Sequence, residues 1–180
     1  MNETMKTIME RYSCRDFAGT PLTEEQLKTL ATAALAAPSG MNRQPWRIIL
    51  LTDKQLIEEM DVEGMKVMAT QDREMFERFV GRGGSLFYNA PCMVIVLTKT
   101  NALLDCGILT QNVALAAHSI GLGNVICGLT SIPLSGPRGS EFKERIGFGE
   151  DEVFAMSILV GQANSGKEPH QLDWSKVTFQ

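Results

Sequence analysis

A short segment near the start of the sequence holds side chains that could bind an anion. Arg11, Ser13 and Arg15 alternate along the chain, so in an extended conformation all three point to the same side. Two guanidinium groups beside a hydroxyl suit a phosphate, because they form charge-assisted hydrogen bonds to its oxygens. The alternative is that both arginines form surface ion pairs with their acidic neighbours Glu10 and Asp16.

A second polar segment lies between Pro38 and Pro45, which keep the backbone out of a helix. Ser39, Asn42 and Gln44 place hydroxyl and amide groups directly before an apolar run that predicts a buried strand. Such groups can hydrogen-bond the edge of a heteroaromatic ring. The alternative is that they only cap the backbone of their own loop.

Three common motifs of nucleotide binding and nucleophilic catalysis are incomplete or missing. Residues 161–167 fit GxxxxGK, but Glu168 stands where a P-loop needs Ser or Thr to bind magnesium, and Pro169 follows it. The glycines at 81–84 and 121–123 do not complete GxGxxG. No GxSxG is present. We therefore expect no P-loop, no dinucleotide fingerprint and no catalytic serine.

The composition is that of an ordinary folded domain. The chain has 180 residues, of which 44% are hydrophobic and 21% charged, which is enough for one buried core. We therefore predict a single domain over residues 1–180. The net charge is -4 and Lys and Arg form no basic run, so we expect no nucleic-acid partner.

The sequence also bears on location and metal content. Residues 1–6 do not begin a signal peptide, and no run is apolar and long enough to cross a bilayer, so we predict a cytoplasmic protein without a membrane partner. The cysteines contain no CxxC pair and are expected to be free thiols: Cys14, Cys92, Cys106 and Cys127. Neither of the two histidines is spaced with a cysteine as a ligand pair, so no metal site is predicted.

Helix and strand patterns interleave along the chain, which indicates a layered α/β or α+β domain. A capping box at Thr23 begins the first predicted helix. Helices are predicted over Glu24–Ala36, from near Asp53, in the Met-rich stretch Val62–Phe79, over Asp105–Ile120 and around Glu141–Ile146. Apolar runs predict buried strands over Trp46–Leu51, Pro91–Thr98, Asn124–Gly128 and Val153–Val160.

The end of the chain has a different character. Residues 168–180 lack periodicity, yet they contain the large apolar side chains of Leu172, Trp174, Val177 and Phe179. Apolar side chains in such number are expected to pack against another surface. We predict a C-terminal tail that packs on a second subunit.

The motifs above resemble, in the same order, those of the nitroreductase family of FMN-dependent oxidoreductases. R-x-S-x-R-x-F runs from Arg11 to Phe17, and a P-S-x-x-N-x-Q-P-W segment runs from Pro38 to Trp46. The similarity continues through Asn89-Ala90-Pro91, through residues 111–117 with Gly121-Leu122-Gly123, and through Leu159-Val160-Gly161 followed by Lys167. It covers nearly the whole chain.

The resemblance implies an α+β fold of three layers, a central and mostly antiparallel sheet flanked by helices, and a homodimer with FMN at its interface. One subunit would hold the phosphate and ribityl chain with Arg11, Ser13, Arg15 and Lys167, and Tyr12 belongs to the same cofactor-binding set. Pro38, Ser39, Gly40 and Asn42 of the other subunit would approach the isoalloxazine ring. Gly128 and Leu129 would face its pyrimidine or N5 edge. His170 replaces an arginine of many members and is a further candidate phosphate ligand.

The resemblance also implies an enzyme in which NAD(P)H reduces FMN at N5 and a flat acceptor, such as a nitroaromatic or a quinone, reoxidises it by a ping-pong mechanism. No side chain is assigned a catalytic role; Asn42 and Arg43 are candidates for stabilising the reduced flavin at N1 and O2. The segment formed by residues 60–84 is shorter than the corresponding region of larger relatives. The alternatives are a flavin-binding or flavin-sequestering protein without nicotinamide turnover, and a relative with other flavin chemistry, such as reductive dehalogenation or flavin fragmentation.

Overall fold

The computed structural model describes residues 1–168 and 171–180. The strands in this part of the chain form one sheet in the order β1-β2-β4-β3, in which every neighbouring pair is antiparallel. They are β1 (Trp46–Leu51), β2 (Cys92–Thr98), β3 (Gly123–Cys127) and β4 (Val153–Gly161). All four predicted strands are present, with bounds that differ by one residue or less from the prediction.

Helices cover both faces of the sheet. The α-helices of the described residues are α1 (Glu3–Glu10), α2 (Glu24–Leu35), α3 (Lys54–Gln71), α4 (Arg73–Val80), α5 (Leu103–Ser119), α6 (Ser131–Ser135) and α7 (Gly139–Ile146). The capping box at Thr23 forms as predicted, with Gln26 accepting from the Thr23 N–H. No helix among the described residues combines the length and the apolar character needed to cross a bilayer.

The central strand β2 separates two apolar clusters because its side chains alternate between the two faces. Met93, Ile95 and Leu97 are buried in one cluster, together with Met60 of α3. On the other face, buried residues of β2 pack with α2 and α5: Cys92, Val94, Val96, Leu30, Leu109 and Val113. The molecule therefore has three layers, α2 and α5, then the sheet, then α3 with its neighbouring helices, which confirms the predicted α+β architecture.

The prediction that β1 is buried on both faces is wrong for most of its length. Only Leu51 is fully buried, and Arg47 is exposed. Within the described residues β1 pairs with β2 alone, so it is an edge strand and one side of it remains open. The order of the strands, rather than the apolar composition of β1, determines its burial.

The helical predictions also need two corrections. Helix α1 was not predicted; Asn2 caps it by accepting from the Met5 N–H. The stretch predicted as helical over Val62–Phe79 belongs to two helices, α3 and α4, which break at Asp72. The Asp72 backbone is non-helical, and its carboxylate accepts from the Met75 N–H and so begins α4.

Candidate cofactor-binding site

We call residues 11–17 the arginine segment. It follows α1 directly and runs beside β3, where Ser13 forms a parallel bridge with Asn124 and the Cys14 N–H donates to the Asn124 carbonyl at 2.8 Å. Cys14 and Phe17 are buried, as the alternation of the segment predicts for Cys14. Burial raises the pKa of the Cys14 thiol, so this cysteine is a neutral packing group.

The arginines of this segment do not form the surface ion pairs that were the alternative interpretation. Neither Arg11 nor Arg15 has an acidic partner within 4.0 Å among residues 1–168 and 171–180. Asp16 instead accepts from the side chain of Asn164 at 2.8 Å. The guanidinium groups of Arg11 and Arg15 are therefore not engaged in ion pairs within the described residues.

The strand β4 leads the chain back to the arginine segment. The Ala18 N–H donates to the Gln162 carbonyl at 2.9 Å, and the Tyr12 hydroxyl donates to the Ser165 carbonyl at 3.0 Å. Lys167 follows Ser165 by two residues and so lies within about 7 Å of it. The structure thus brings the predicted lysine to the arginine segment. The predicted phosphate ligand His170 lies outside the described residues.

The parallel bridge between Ser13 and Asn124 also brings the end of β3 towards Arg15. Gly128 and Leu129 follow β3 in a short 3₁₀ turn, and Gly128 is exposed. The buried Ser157 holds this turn, because its hydroxyl donates to the Cys127 carbonyl at 2.7 Å and lies 2.8 Å from the Thr130 hydroxyl. The sequence analysis did not single out Ser157. Its hydroxyl within the otherwise apolar run of β4 could have indicated a residue with a specific hydrogen-bonding role.

We call residues 38–46 the proline loop. Met41, Asn42 and Gln44 all have left-handed backbone conformations, with φ angles of 54°, 54° and 47°. Such conformations are costly for residues other than glycine and often occur at binding sites. The Gln44 N–H donates to the Ser39 hydroxyl at 2.9 Å, and the Gln44 side chain donates to the side-chain oxygen of Asn42 at 3.1 Å. The loop capping considered as the alternative interpretation is therefore present, and it fixes an exposed loop.

Within one chain the two segments lie at opposite ends of α5. The proline loop contacts its beginning, where the Gly40 N–H donates to the Asp105 carboxylate at 3.1 Å. The arginine segment contacts its end, where the Tyr12 ring meets the His118 ring edge-on at 6.5 Å between centroids. His118 follows Asp105 by thirteen helical steps in α5, which corresponds to about 20 Å. The structure brings together Arg11–Arg15, Lys167 and the Gly128 turn, but not the proline loop.

A cavity of about 540 Å³ opens beside the arginine segment. Its lining includes Arg15, Arg82, Tyr88 and Asn89. Sequence reasoning assigned no role to Arg82 or Tyr88, and Asn89 was noted only as part of a family pattern. Among the described residues, no three His, Cys, Asp or Glu side chains are grouped so that they could hold a metal ion.

Comparison with known proteins identifies the family. A model described as the Nitroreductase family matches residues 8–162. The chain belongs to the nitroreductase family. The match includes the arginine segment, the proline loop and the Gly128 turn, and it ends before Lys167 and the tail.

Solved structures and curated relatives agree with this assignment. A nitroreductase from Desulfitobacterium hafniense, solved with bound FMN, is 48% identical, with a TM-score of 0.95 over 100% of this chain and 99% of that one. A putative NADH dehydrogenase/NAD(P)H nitroreductase of Archaeoglobus fulgidus is 26% identical over 96% of this chain and 92% of its own length. The NADPH-flavin oxidoreductase of Vibrio harveyi is 30% identical over 93% of this chain and 69% of its own length.

Proposed function

We propose that this protein is an NAD(P)H-dependent FMN oxidoreductase that reduces nitroaromatic or quinone-like acceptors. The cofactor follows from the nitroreductase of Desulfitobacterium hafniense, which binds FMN and is nearly superimposable on this chain. The electron donor follows from the relatives named NAD(P)H nitroreductase and NADPH-flavin oxidoreductase. The four buried, unpaired cysteines support a reducing, cytoplasmic location.

The residues of the arginine segment fit the charged end of FMN. The phosphate needs cations and hydroxyl donors that are not already engaged, and the two arginines of this segment form no ion pair within the described chain. The hydrogen bond that the Arg15 side chain donates within the described residues is a long one, 3.5 Å to the Ser13 carbonyl. Gly40 fits the ring end, because a Cβ at this position would meet no atom of its own chain within 4 Å. A flat ring can therefore approach its backbone closely.

We propose that each FMN lies between two copies of the chain. The observation that carries this proposal is the separation of the arginine segment and the proline loop by about 20 Å along α5. Both segments can reach one cofactor if the loop comes from the partner subunit. The surface of α5 supports such an interface, because Leu103, Leu104 and Ile108 are 57%, 80% and 36% exposed. Apolar side chains clustered on one helix mark an interaction surface.

The C-terminal tail belongs to the same proposed interface. Leu172, Trp174 and Phe179 are 49%, 66% and 85% exposed in the described part of the chain. The outer edge of β1 is also open there, and an open edge strand is usually covered by another segment. We place the tail on the partner subunit, where it would bury these side chains.

The chain contributes binding and orientation rather than acid–base catalysis. When bound, FMN supplies hydride transfer at N5. Arg11, Ser13, Arg15 and Lys167 hold the phosphate end in this proposal. The exposed backbone at Gly128 and the proline loop of the partner subunit would orient the ring for reaction with NAD(P)H and then with the acceptor.

Anaerobic reduction of the purified protein tests the activity. We expect a yellow protein that NAD(P)H bleaches and that a nitroaromatic or quinone then reoxidises. A yellow protein that neither NADH nor NADPH bleaches would instead indicate a flavin-binding protein without nicotinamide turnover. A protein that binds no flavin would contradict the proposal as a whole.

Mixed dimers test the shared site. Subunits with Arg11→Ala and Arg15→Ala have an intact proline loop, and subunits with an altered loop, such as Gly40→Val, have an intact arginine segment. If each site takes one segment from each chain, random mixing restores FMN binding to about a quarter of the sites. Failure of the mixture to bind more FMN than either variant alone would contradict a site built from two chains.

A further inference from the structure

The turn at residues 85–90, directly before β2, holds two residues in unusual conformations. Tyr88 and Asn89 have φ angles of 54° and 61°. The left-handed region is unfavourable for a bulky aromatic residue, and such strain persists only where the surrounding structure imposes it. The placement of Tyr88 is therefore fixed by specific contacts.

One of these contacts is a polar network with α3. The Ser85 hydroxyl donates to Asp61 at 2.5 Å and accepts from the Tyr88 N–H at 2.7 Å. The other oxygen of Asp61 accepts from the Leu86 N–H at 2.7 Å. A single carboxylate thus fixes the backbone on both sides of the turn, including the strained residue.

The turn is also bound to the arginine segment. The Phe17 N–H donates to the Tyr88 carbonyl at 3.3 Å, and the Asn89 side chain donates to the Phe17 carbonyl at 3.1 Å. Phe17 is only two residues from Arg15. The backbone of Tyr88 and the backbone of the segment proposed to bind FMN therefore form one rigid unit.

The side chain of Tyr88 also lies beside the arginine segment. Tyr88 and Arg15 line the cavity of about 540 Å³ together. Burial raises the pKa of the Tyr88 hydroxyl, while the positive charge of the nearby Arg15 acts in the opposite direction. Tyr88 is thus half-buried at the cavity that Arg15 also lines.

We propose that Tyr88 is a positioning residue, whose hydroxyl accepts a hydrogen bond from Arg15 and holds its guanidinium in the orientation that binds FMN. This inference depends on the proposed function. An arginine side chain loses much rotational freedom when it is fixed in one orientation. A rigid acceptor beside it removes part of that cost before the cofactor arrives, which is the general advantage of preorganisation.

A double-mutant cycle with Tyr88→Phe and Arg15→Ala tests the inference. Tyr88→Phe keeps the ring and removes only the hydroxyl, and FMN dissociation constants are measured by quenching of flavin fluorescence. We expect Tyr88→Phe to weaken FMN binding by about tenfold in the wild-type background. In the Arg15→Ala background the same change should alter the dissociation constant by less than about twofold, because the hydroxyl then has no partner.

The controls separate positioning from a purely structural role. The thermal midpoint of apo Tyr88→Phe should match that of the wild type, and Arg78→Ala, which removes an exposed cation of α4, should leave FMN affinity unchanged. If Tyr88→Phe weakened FMN binding equally in the wild-type and Arg15→Ala backgrounds, or in neither, the inference would be overturned. The proposed function would still stand as long as the wild-type protein binds FMN. A wild-type protein that binds no FMN would contradict both the inference and the proposed function.

Discussion

The arginine segment and the proline loop are both polar and both proposed to bind FMN, yet the chain holds them in different ways. The arginine segment is joined by backbone hydrogen bonds to distant residues, including Asn124, Tyr88 and Asn164. The proline loop is held by bonds within itself and by two long-range bonds to side chains: the Gly40 N–H donates to Asp105, and the Pro45 carbonyl accepts from the Thr98 hydroxyl at 2.7 Å.

This difference separates two ways of preparing a binding site. The arginine segment is positioned by the core of its own subunit, so its geometry depends on the fold. The exposed part of the proline loop is ordered by short-range bonds and left-handed residues, and its ties to the rest of the subunit end on the side chains of Asp105 and Thr98 rather than on backbone. A loop of the second kind is suited to a site completed by another chain.

The largest effect is expected from removing both cations of the arginine segment. Arg11→Ala with Arg15→Ala should lower FMN affinity by about 3–6 kcal/mol, because two charge-assisted bonds to a phosphate are lost at about 1.5–3 kcal/mol each. The free energy of unfolding of the apo protein should change little, because the backbone bonds of Cys14 and Phe17 remain. Gel filtration that retains flavin on this variant would contradict the placement.

Two glycine substitutions test how each segment is held. A Cβ at Gly123 would lie 2.9 Å from the Cys14 sulfur and 3.0 Å from the Ala163 Cβ, between the arginine segment and the chain after β4. Gly123→Ala should therefore destabilise the protein by about 1–3 kcal/mol, measured by urea unfolding.

Gly40→Ala is the matched change in the proline loop, where a Cβ would meet no atom of the same chain. It should change the free energy of unfolding of the apo protein by less than about 0.5 kcal/mol, yet weaken FMN binding. Equal destabilisation by both alanines would show that the loop is packed by its own subunit, and the comparison would fail.

Local sequence patterns predicted the elements well where they depend on neighbouring residues. The capping box at Thr23 begins α2, and the apolar runs became the four strands. The burial of β1 was wrong because it depends on which strand takes the edge of the sheet, which periodicity does not encode. Helix α1 was missed because it has only eight residues and no buried side chain, so its stability depends on its Asn2 cap and its contacts with α5.

One packing feature of the candidate site also followed from a local sequence pattern. The alternation of Arg11, Ser13 and Arg15 correctly placed Cys14 towards the core. The role proposed for Tyr88 could not be read from the sequence, because it depends on bonds to Phe17 and on a network that begins at Asp61. Nor could residue spacing indicate that the two proposed FMN-binding segments lie at opposite ends of one helix.

A smaller effect is expected from Asp105, the carboxylate that ties the proline loop to α5. Asp105→Ala removes the acceptor of the Gly40 N–H and should weaken FMN binding by about 1–1.5 kcal/mol, because the loop must then be ordered on binding. Asp105→Asn keeps an acceptor oxygen and should lose less than half as much affinity. If calorimetric titration with FMN gives the same loss for both, the charge of Asp105 matters rather than its bond to the loop.

The smallest effect concerns Arg47, which directly follows the proline loop. Its guanidinium donates to Glu152 at 2.6 and 2.8 Å, and these bonds lower the pKa of Glu152 to about 2 from its ordinary 4.5. Because the folded-state pKa is the lower one, the stabilisation is complete above about pH 4.5 and is lost as the pH falls towards 2. Arg47→Met should therefore reduce stability by about 0.5–1 kcal/mol at neutral pH, since the arginine is 44% exposed, and flatten the acid limb of the unfolding profile.

The same variant distinguishes an anchored loop from a self-organised one. If the bonds within the proline loop are sufficient to order it, Arg47→Met leaves FMN affinity at neutral pH within about twofold of the wild type although the protein is less stable. A parallel loss of affinity and stability would mean that the loop depends on its junction with β1. The arginine segment and the proline loop would then both be held by their own subunit in the same way. This result would contradict the proposal that the loop is prepared for a partner chain.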